Sequence, residues 1–187
     1  MSRVYLIRHG KPSATWGGDD HDPGLDETGR EQARAAAQAL LALPERPQRV
    51  VSSPLRRCRE TAEPFAQALG VAVEIDPRVG EIPTPAALSN DERPAWLRQA
   101  FGGRWSEIEG DLAYQTWRAQ VAEAVAAHEG AAVFSHYVAI NAAVSHALND
   151  DRVMGFRPDH CSITTFDVIG GGLILIEKGR EAATQVL

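Results

Sequence analysis

At 187 residues the chain has room for one domain with a substantial core and little room for two. Its hydrophobic share of 44% and charged share of 24% are those of an ordinary globular protein. A net charge of -6 disfavours a general nucleic-acid or anionic-membrane surface, so any anion site has to be built from a few placed arginines.

Val4 to Ile7 is a short apolar run that reads as a buried strand, and it ends in Arg8-His9-Gly10. A polar triplet directly after such a strand sits at its carboxyl end, where open α/β sheets place their ligands. A loop rich in Gly, Pro and Asp follows to Asp26. Thr28 and Glu31 fit a capping box, with Thr28 as N-cap. The helix it opens carries Ala33, Ala36, Ala37, Leu40 and Leu41 at helical spacing, and Pro44 and Pro47 close it. Arg49 to Ser52 is a second buried strand, and Ser53-Pro54 opens a helix with Thr61, Ala62, Phe65, Ala66 and Leu69 inward and Gly70 as its stop. A third strand spans Val71 to Ile75.

From Pro83 to Asp111 the composition changes. Trp96, Phe101 and Trp105 lie among Pro, Gly and charges with no strand signal, which predicts a partly helical insertion lying over the sheet. These aromatics read equally as a substrate wall or as core under the insertion. Tyr114, Trp117, Val121, Ala124 and Val125 mark a helix running to about His128. Ala131 to Phe134 is a fourth strand, leading into Ser135-His136-Tyr137 and a helix from about Val138 to Leu148. Ser162 to Val168 and Leu173 to Glu177 make a terminal hairpin across three glycines. The alternation predicts an α/β three-layer sandwich: one domain with a mostly parallel central sheet, helices on both faces, an antiparallel edge, and a small insertion over the active site at about 83–111.

Cys58 and Cys161 form neither a CxxC nor a zinc-site spacing, and read as buried thiols in a reducing compartment. The amino-terminal run is interrupted by arginine too early for a signal peptide, and no segment approaches a membrane span. The expectation is a cytoplasmic protein. Asp19-Asp20-His21-Asp22 reads as a solvated acidic loop, because adjacent residues on such a loop rarely converge on one ion.

Two strands thus end in histidine, His9 and His136, and a third leads into Arg56-Arg57. Parallel strands bring all of them to one sheet edge, with Glu81 following the third strand. Phosphoryl transfer needs such groups. Guanidinium forks match phosphate oxygens, an imidazole can take and release the phosphoryl group, and a protonated carboxyl can donate to the departing alkoxide.

Leu6-Ile7-Arg8-His9-Gly10 resembles the RHG signature of the histidine phosphatase superfamily, which includes the phosphoglycerate mutases. Three further stretches are similar to that family in the same order: 25–33, LDETGREQA; 52–62, SSPLRRCRETA; and 133–136, VFSH. The resemblance implies His9 as nucleophile and Arg8, Arg57 and His136 as phosphate ligands. It also implies Glu81 as proton donor, with Glu107 or Glu109 next in line and Glu74 a poor rival. His136 joins His9 and Glu81 among the catalytic residues. No metal or organic cofactor is implied.

The sequence departs from the family pattern at Tyr137, where Gly is frequent, and at Lys11-Pro12-Ser13. It also lacks the loop Asn that mutases place beside a Trp; Trp16 is followed by Gly17 and Gly18. Tyr137, Lys11 and Trp16 are accordingly expected in the substrate pocket. These departures favour a metal-independent acid-type phosphomonoesterase acting on a small phosphorylated metabolite, with no nucleic acid or membrane as partner. The alternatives are a phosphoglycerate mutase-like phosphotransferase, a protein phosphohistidine phosphatase and a non-catalytic phospholigand-binding module.

Overall fold

A computed structural model of the chain describes residues 2–14 and 20–183. Six strands form one sheet in the order β3-β2-β4-β1-β5-β6, made by β1 (Ser2–Arg8), β2 (Arg49–Ser52), β3 (Val73–Ile75), β4 (Ala131–Ser135), β5 (Ile163–Ile169) and β6 (Gly172–Glu177). The first four are parallel to one another, while β5 and β6 run antiparallel at one edge. The fold is the expected α/β sandwich with a mostly parallel sheet.

Strand residues alternate between two cores, which is why β1 and β4 read as unbroken apolar runs. Tyr5, Ile7, Val50, Ala132 and Phe134 pack on one face against α1 (Glu27–Leu41) and α2 (Arg56–Leu69). Val4, Leu6, Val51, Ala131 and Val133 pack on the other against α4 (Tyr114–Ala127) and α5 (Tyr137–Ala147). Each large side chain enclosed this way contributes about 1.5–3 kcal/mol. The 83–111 segment holds α3 (Arg93–Phe101) and a 3-10 turn, Trp105–Glu107, and packs on this second face. Among the described residues, no helix is long and apolar enough to cross a membrane.

Local signals account for most element ends. Gly70 is left-handed (φ 71°) and stops α2, and Gly170 and Gly171 (φ 59° and 80°) make the two-residue turn of the β5–β6 hairpin. The N-cap of α1 differs from the expectation. Asp26 caps it, its carboxylate accepting from Gly29 N at 2.7 Å, and Thr28 lies inside the first turn. An ionised carboxylate beside the positive end of the helix competes well against a hydroxyl two residues later. Helix α2 starts at Arg56, later than Ser53-Pro54, and its first N–H is satisfied from outside: Asp22 Oδ1 accepts from Arg56 N at 2.8 Å. Asp22 of the acidic loop is therefore a cap.

Candidate active site

The parallel register sets Arg8 beside Ser135 and Ser52 beside Phe134, so His9, Ser53 and His136 leave the sheet at one edge. The backbone continues the ladder there, with His9 N donating to Ser135 O and Ser53 N to Phe134 O, both at 3.0 Å. Gly10 then crosses Gly29 at the start of α1. A Cβ on Gly10 would stand 2.7 Å from the Gly29 carbonyl oxygen, so this crossing requires a bare backbone. Gly10 N donates to Thr61 Oγ1 at 2.9 Å and Lys11 N to Gln32 Oε1 at 2.9 Å. Gly29, Gln32 and Thr61, three motif positions distant in sequence, thus hold the loop that carries His9.

His9 is buried, with Nδ1 2.8 Å from the Gly10 carbonyl. A carbonyl only accepts, so Nδ1 carries the proton and Nε2 keeps its lone pair. Arg57 Nε donates to that Nε2 at 3.2 Å. The same guanidinium reaches His136 Nδ1 at 3.1 Å and Glu81 Oε2 at 3.4 Å through Nη2. Because arginine only donates, His136 Nδ1 accepts and its Nε2–H donates to Ser53 Oγ at 2.8 Å. Burial holds both histidines well below the ordinary range. His136, Arg57 and Arg8 add to the effect at His9, and Arg57 and Arg8 add to it at His136.

Glu81 is placed by its neighbours. Ser135 Oγ donates to the Val79 carbonyl at 2.7 Å, tying the segment before Glu81 to the end of β4. Glu81 Oε1 accepts from Ile82 N at 3.0 Å, and Oε2 lies 3.5 Å from His136 Nδ1. Burial pushes the Glu81 carboxyl up, against the opposing pull of Arg57. The other carboxylates considered lie elsewhere: Glu74 is exposed and paired with Arg49 at 2.7 Å, and Glu107 and Glu109 are exposed and do not line the cavity.

The histidine phosphatase superfamily (branch 1) model matches residues 4–179. The chain belongs to that family. A 2,3-bisphosphoglycerate-dependent phosphoglycerate mutase of Thermoplasma acidophilum is 29% identical over 186 residues, covering 94% of this chain and 92% of the relative. Other curated relatives are longer. The chain spans 24% of the transcription factor tau 55 kDa subunit of Saccharomyces cerevisiae, with 33% identity over the 105 residues (46% of the chain) that match. Among solved structures, phosphoserine phosphatase of Entamoeba histolytica in complex with 3-phosphoglyceric acid superposes with a TM-score of 0.75 at 21% identity, covering 98% of each chain. A mycobacterial glucosyl-3-phosphoglycerate phosphatase complexed with VO3 gives 0.71 at 24%, covering 98% of this chain and 100% of that one. These two likenesses describe the fold.

In this member of the histidine phosphatase superfamily the cluster opens into a cavity of about 690 Å³. Arg8, His9, Arg57, Glu81, Tyr137 and Lys11 all line it. Arg8 is buried, donates from Nη1 to the Pro158 carbonyl at 3.0 Å, and keeps an enclosed Nε with no partner among the described residues. Its guanidinium carbon sits 5.1 Å from the Tyr137 ring centroid. The Tyr137 hydroxyl turns away, to Met154 Sδ at 3.0 Å, so the residue presents a ring face to the pocket. Lys11 is exposed at the cavity wall and paired with Asp26 at 3.0 Å. Trp16 lies outside the described residues.

The insertion aromatics divide. Phe101 lines the cavity against Tyr137, whereas Trp105 is core, its Nε1 donating to Ser145 Oγ at 2.9 Å, and Trp96 packs on Tyr114. Asn141 faces a loop: its Oδ1 accepts from Gly155 N and Phe156 N. Both cysteines are free, buried thiols. Among the described residues, no three His, Cys, Asp or Glu side chains converge as a metal site. The wall also includes His160, which reads from the sequence alone as a structural residue without a partner. Its ring centroid is 6.0 Å from that of His9.

Proposed function

We propose that the protein hydrolyses small phosphomonoesters through a phosphohistidine on His9, with Glu81 as proton donor and the 83–111 segment as a cap over the pocket. The observation that carries this reading is the His9 Nδ1 contact to the Gly10 carbonyl, which leaves an uncharged Nε2 lone pair beside Arg57. Arg57 and Arg8 bind the phosphate oxygens, and His136 joins them by moving its proton to Nδ1, the Ser53 hydroxyl then donating to Nε2. Once the dianion arrives, the Arg57 guanidinium turns to those stronger acceptors and frees Nε2. Nε2 then attacks phosphorus as the ester P–O bond breaks, and the leaving oxygen takes the Glu81 proton. Water next attacks the phosphohistidine, its proton passes to the Glu81 carboxylate, and phosphate departs with His9 neutral again. Burial raises the Glu81 carboxyl against the pull of the nearby cations, which favours the protonated form that the first step needs.

Metal plays no part in this scheme, so activity should survive a chelator. The full test is phosphate release from p-nitrophenyl phosphate and a panel of phosphorylated metabolites, beside trapping of an acid-labile phosphoenzyme. His9→Ala should lower turnover by at least about 10³-fold and abolish the labile phosphoenzyme. A fully active His9→Ala protein refutes the reading.

The near full-length similarity to a phosphoglycerate mutase supports a second reading, in which the phosphoryl group returns to an acceptor. Dependence on a bisphosphorylated primer with little phosphate release would favour it. The Lys11-Pro12 loop and the missing Asn support water as the acceptor.

A further inference from the structure

His160 takes no part in the steps above, yet its surroundings are those of a ligand site. The residue is 9% exposed, its ring faces His9, and its Nε2 is enclosed without a hydrogen-bond partner among the described residues. Buried polar groups are paired in the great majority of cases, so an unpaired one in a cavity wall needs a reason. Arg8, on the same wall, has an enclosed Nε in the same condition.

The turn carrying His160 is held in a costly conformation. Cys161 has φ 56°, in the left-handed region that a side chain disfavours. Such strain persists only where the surroundings over-determine it, and it clusters at ligand clamps and active sites. Here the restraints are plain. Cys161 N donates to the Arg8 carbonyl at 3.0 Å and Arg8 N to the Ser162 carbonyl at 3.3 Å, stitching the turn to the residue before the nucleophile. Asp159 Oδ1 accepts from His160 N at 2.8 Å, and Arg180 reaches both Asp159 Oδ2 (3.0 Å) and the His160 carbonyl (3.3 Å). Burial, then the Arg8 charge, holds the imidazole at about 4, so the ring is neutral and offers one N–H.

We propose that His160 is a further ligand of the transferring phosphoryl group, donating a hydrogen bond to a phosphoryl oxygen beside Arg8 before transfer and while the group sits on His9. This inference rests on the reading of His9 as phosphoryl acceptor. His160 holds the group in place; the proton for the leaving oxygen still comes from Glu81.

The test compares wild type, His160→Phe and His160→Asn in the whole protein. Phenylalanine keeps the ring volume without a donor, and asparagine keeps a short donor. Inorganic phosphate should bind about tenfold more weakly to His160→Phe, with a similar fall in kcat/KM, and His160→Asn should recover part of both. Ring-nitrogen NMR of the wild type should show the His160 signals moving on saturation with phosphate. Phosphate affinity and kcat/KM within twofold of wild type in His160→Phe would overturn the proposal. If that variant fails to fold, His160 ring signals unmoved by phosphate would overturn it instead. A His9→Ala background separates the two readings, because phosphate binding there still reports on His160 whether or not His9 accepts the phosphoryl group.

Discussion

His128 and His136 are both buried beside a carboxylate, and the two pairs are held in opposite ways. His128 Nε2 lies 2.7 Å from Asp76 Oδ2. Arg78 closes on the same carboxylate with Nε and Nη2, at 3.0–3.1 Å and 2.7 Å, and its backbone N at 2.9 Å. The Arg78 hydrogen bonds, with those from His128, hold the Asp76 carboxyl far below the usual carboxylate range. Around His136 the carboxyl contact is longer, 3.5 Å to Glu81 Oε2, with Arg57 shared between them at 3.1 Å and 3.4 Å, and burial pushes the Glu81 carboxyl up. The Asp76 carboxylate, with short bonds to both oxygens, has no capacity left for a ligand, while the Glu81 carboxyl, held by longer contacts, stays available to one. The two are also joined. Asp76 caps the turn Pro77–Val79, and that turn delivers Gly80 and Glu81 to the site.

This contrast predicts that the two clusters fail differently. Arg57→Ala should lower kcat/KM by about 10³-fold, roughly 4 kcal/mol of transition-state stabilisation, because one guanidinium touches His9, His136 and Glu81. Its melting temperature should stay within a few degrees of wild type. Removing the cation pushes the Glu81 carboxyl further up, toward its neutral form, so the loss strands no buried charge. Steady-state kinetics and thermal unfolding on one preparation check both halves.

Asp76→Asn should do the reverse. Breaking this buried pair costs about 3 kcal/mol, roughly 10 °C for a domain of this size, with kcat/KM within about fivefold. Because the folded carboxyl is depressed, its stabilisation is present above the unfolded value of about 3.9 and is lost as pH falls through that region toward the folded value. Thermal melts between pH 5 and 3 should therefore fall more steeply for wild type than for the variant. A variant with normal melts and lost activity would erase the distinction between the clusters.

Glu81→Gln sharpens the functional side. The loss should be about 10²-fold on alkyl phosphates and less than tenfold on p-nitrophenyl phosphate, whose leaving group needs little proton help. The pH profile supplies the sign. Wild-type hydrolysis of alkyl phosphates falls as pH rises through the raised Glu81 pKa, and this alkaline limb should vanish in the variant. The acid limb, set by protonation of histidines held well below 6.5, should remain.

The sequence made one edge of the site legible and hid the other. His9 and His136 follow parallel strands, so both fall where a polar residue after an apolar run is expected to meet a ligand. His160 precedes β5, which runs antiparallel to β1, so the start of that strand reaches the edge where the others end. A rule that inspects strand ends passes over it, and Asp159-His160-Cys161 carries no motif. The Asp26 cap was misplaced for a different reason. A Thr–Glu spacing and an Asp two residues earlier are both good caps, and the choice is made by the Asp26 N–Lys11 O bond at 3.0 Å, a tertiary contact. Tyr137 was legible as a pocket residue, while the direction of its hydroxyl depended on Met154, 17 positions away.

That direction gives the smallest predicted effect. The Tyr137 hydroxyl bonds a thioether, a weak acceptor, and burial raises its pKa to about 12, so it neither ionises nor faces the phosphoryl site. The ring does face the site: Arg8 lies over it and Phe101 packs beside it at 5.6 Å between centroids. Tyr137→Phe should leave kcat/KM within twofold, since the cation–π contact survives. Tyr137→Ala removes that contact, worth about 1 kcal/mol, and frees Arg8 to wander, so KM should rise about fivefold with a smaller change in kcat. Equal losses in the two variants would mean that the hydroxyl, rather than the ring face, is what Arg8 and its ligand require.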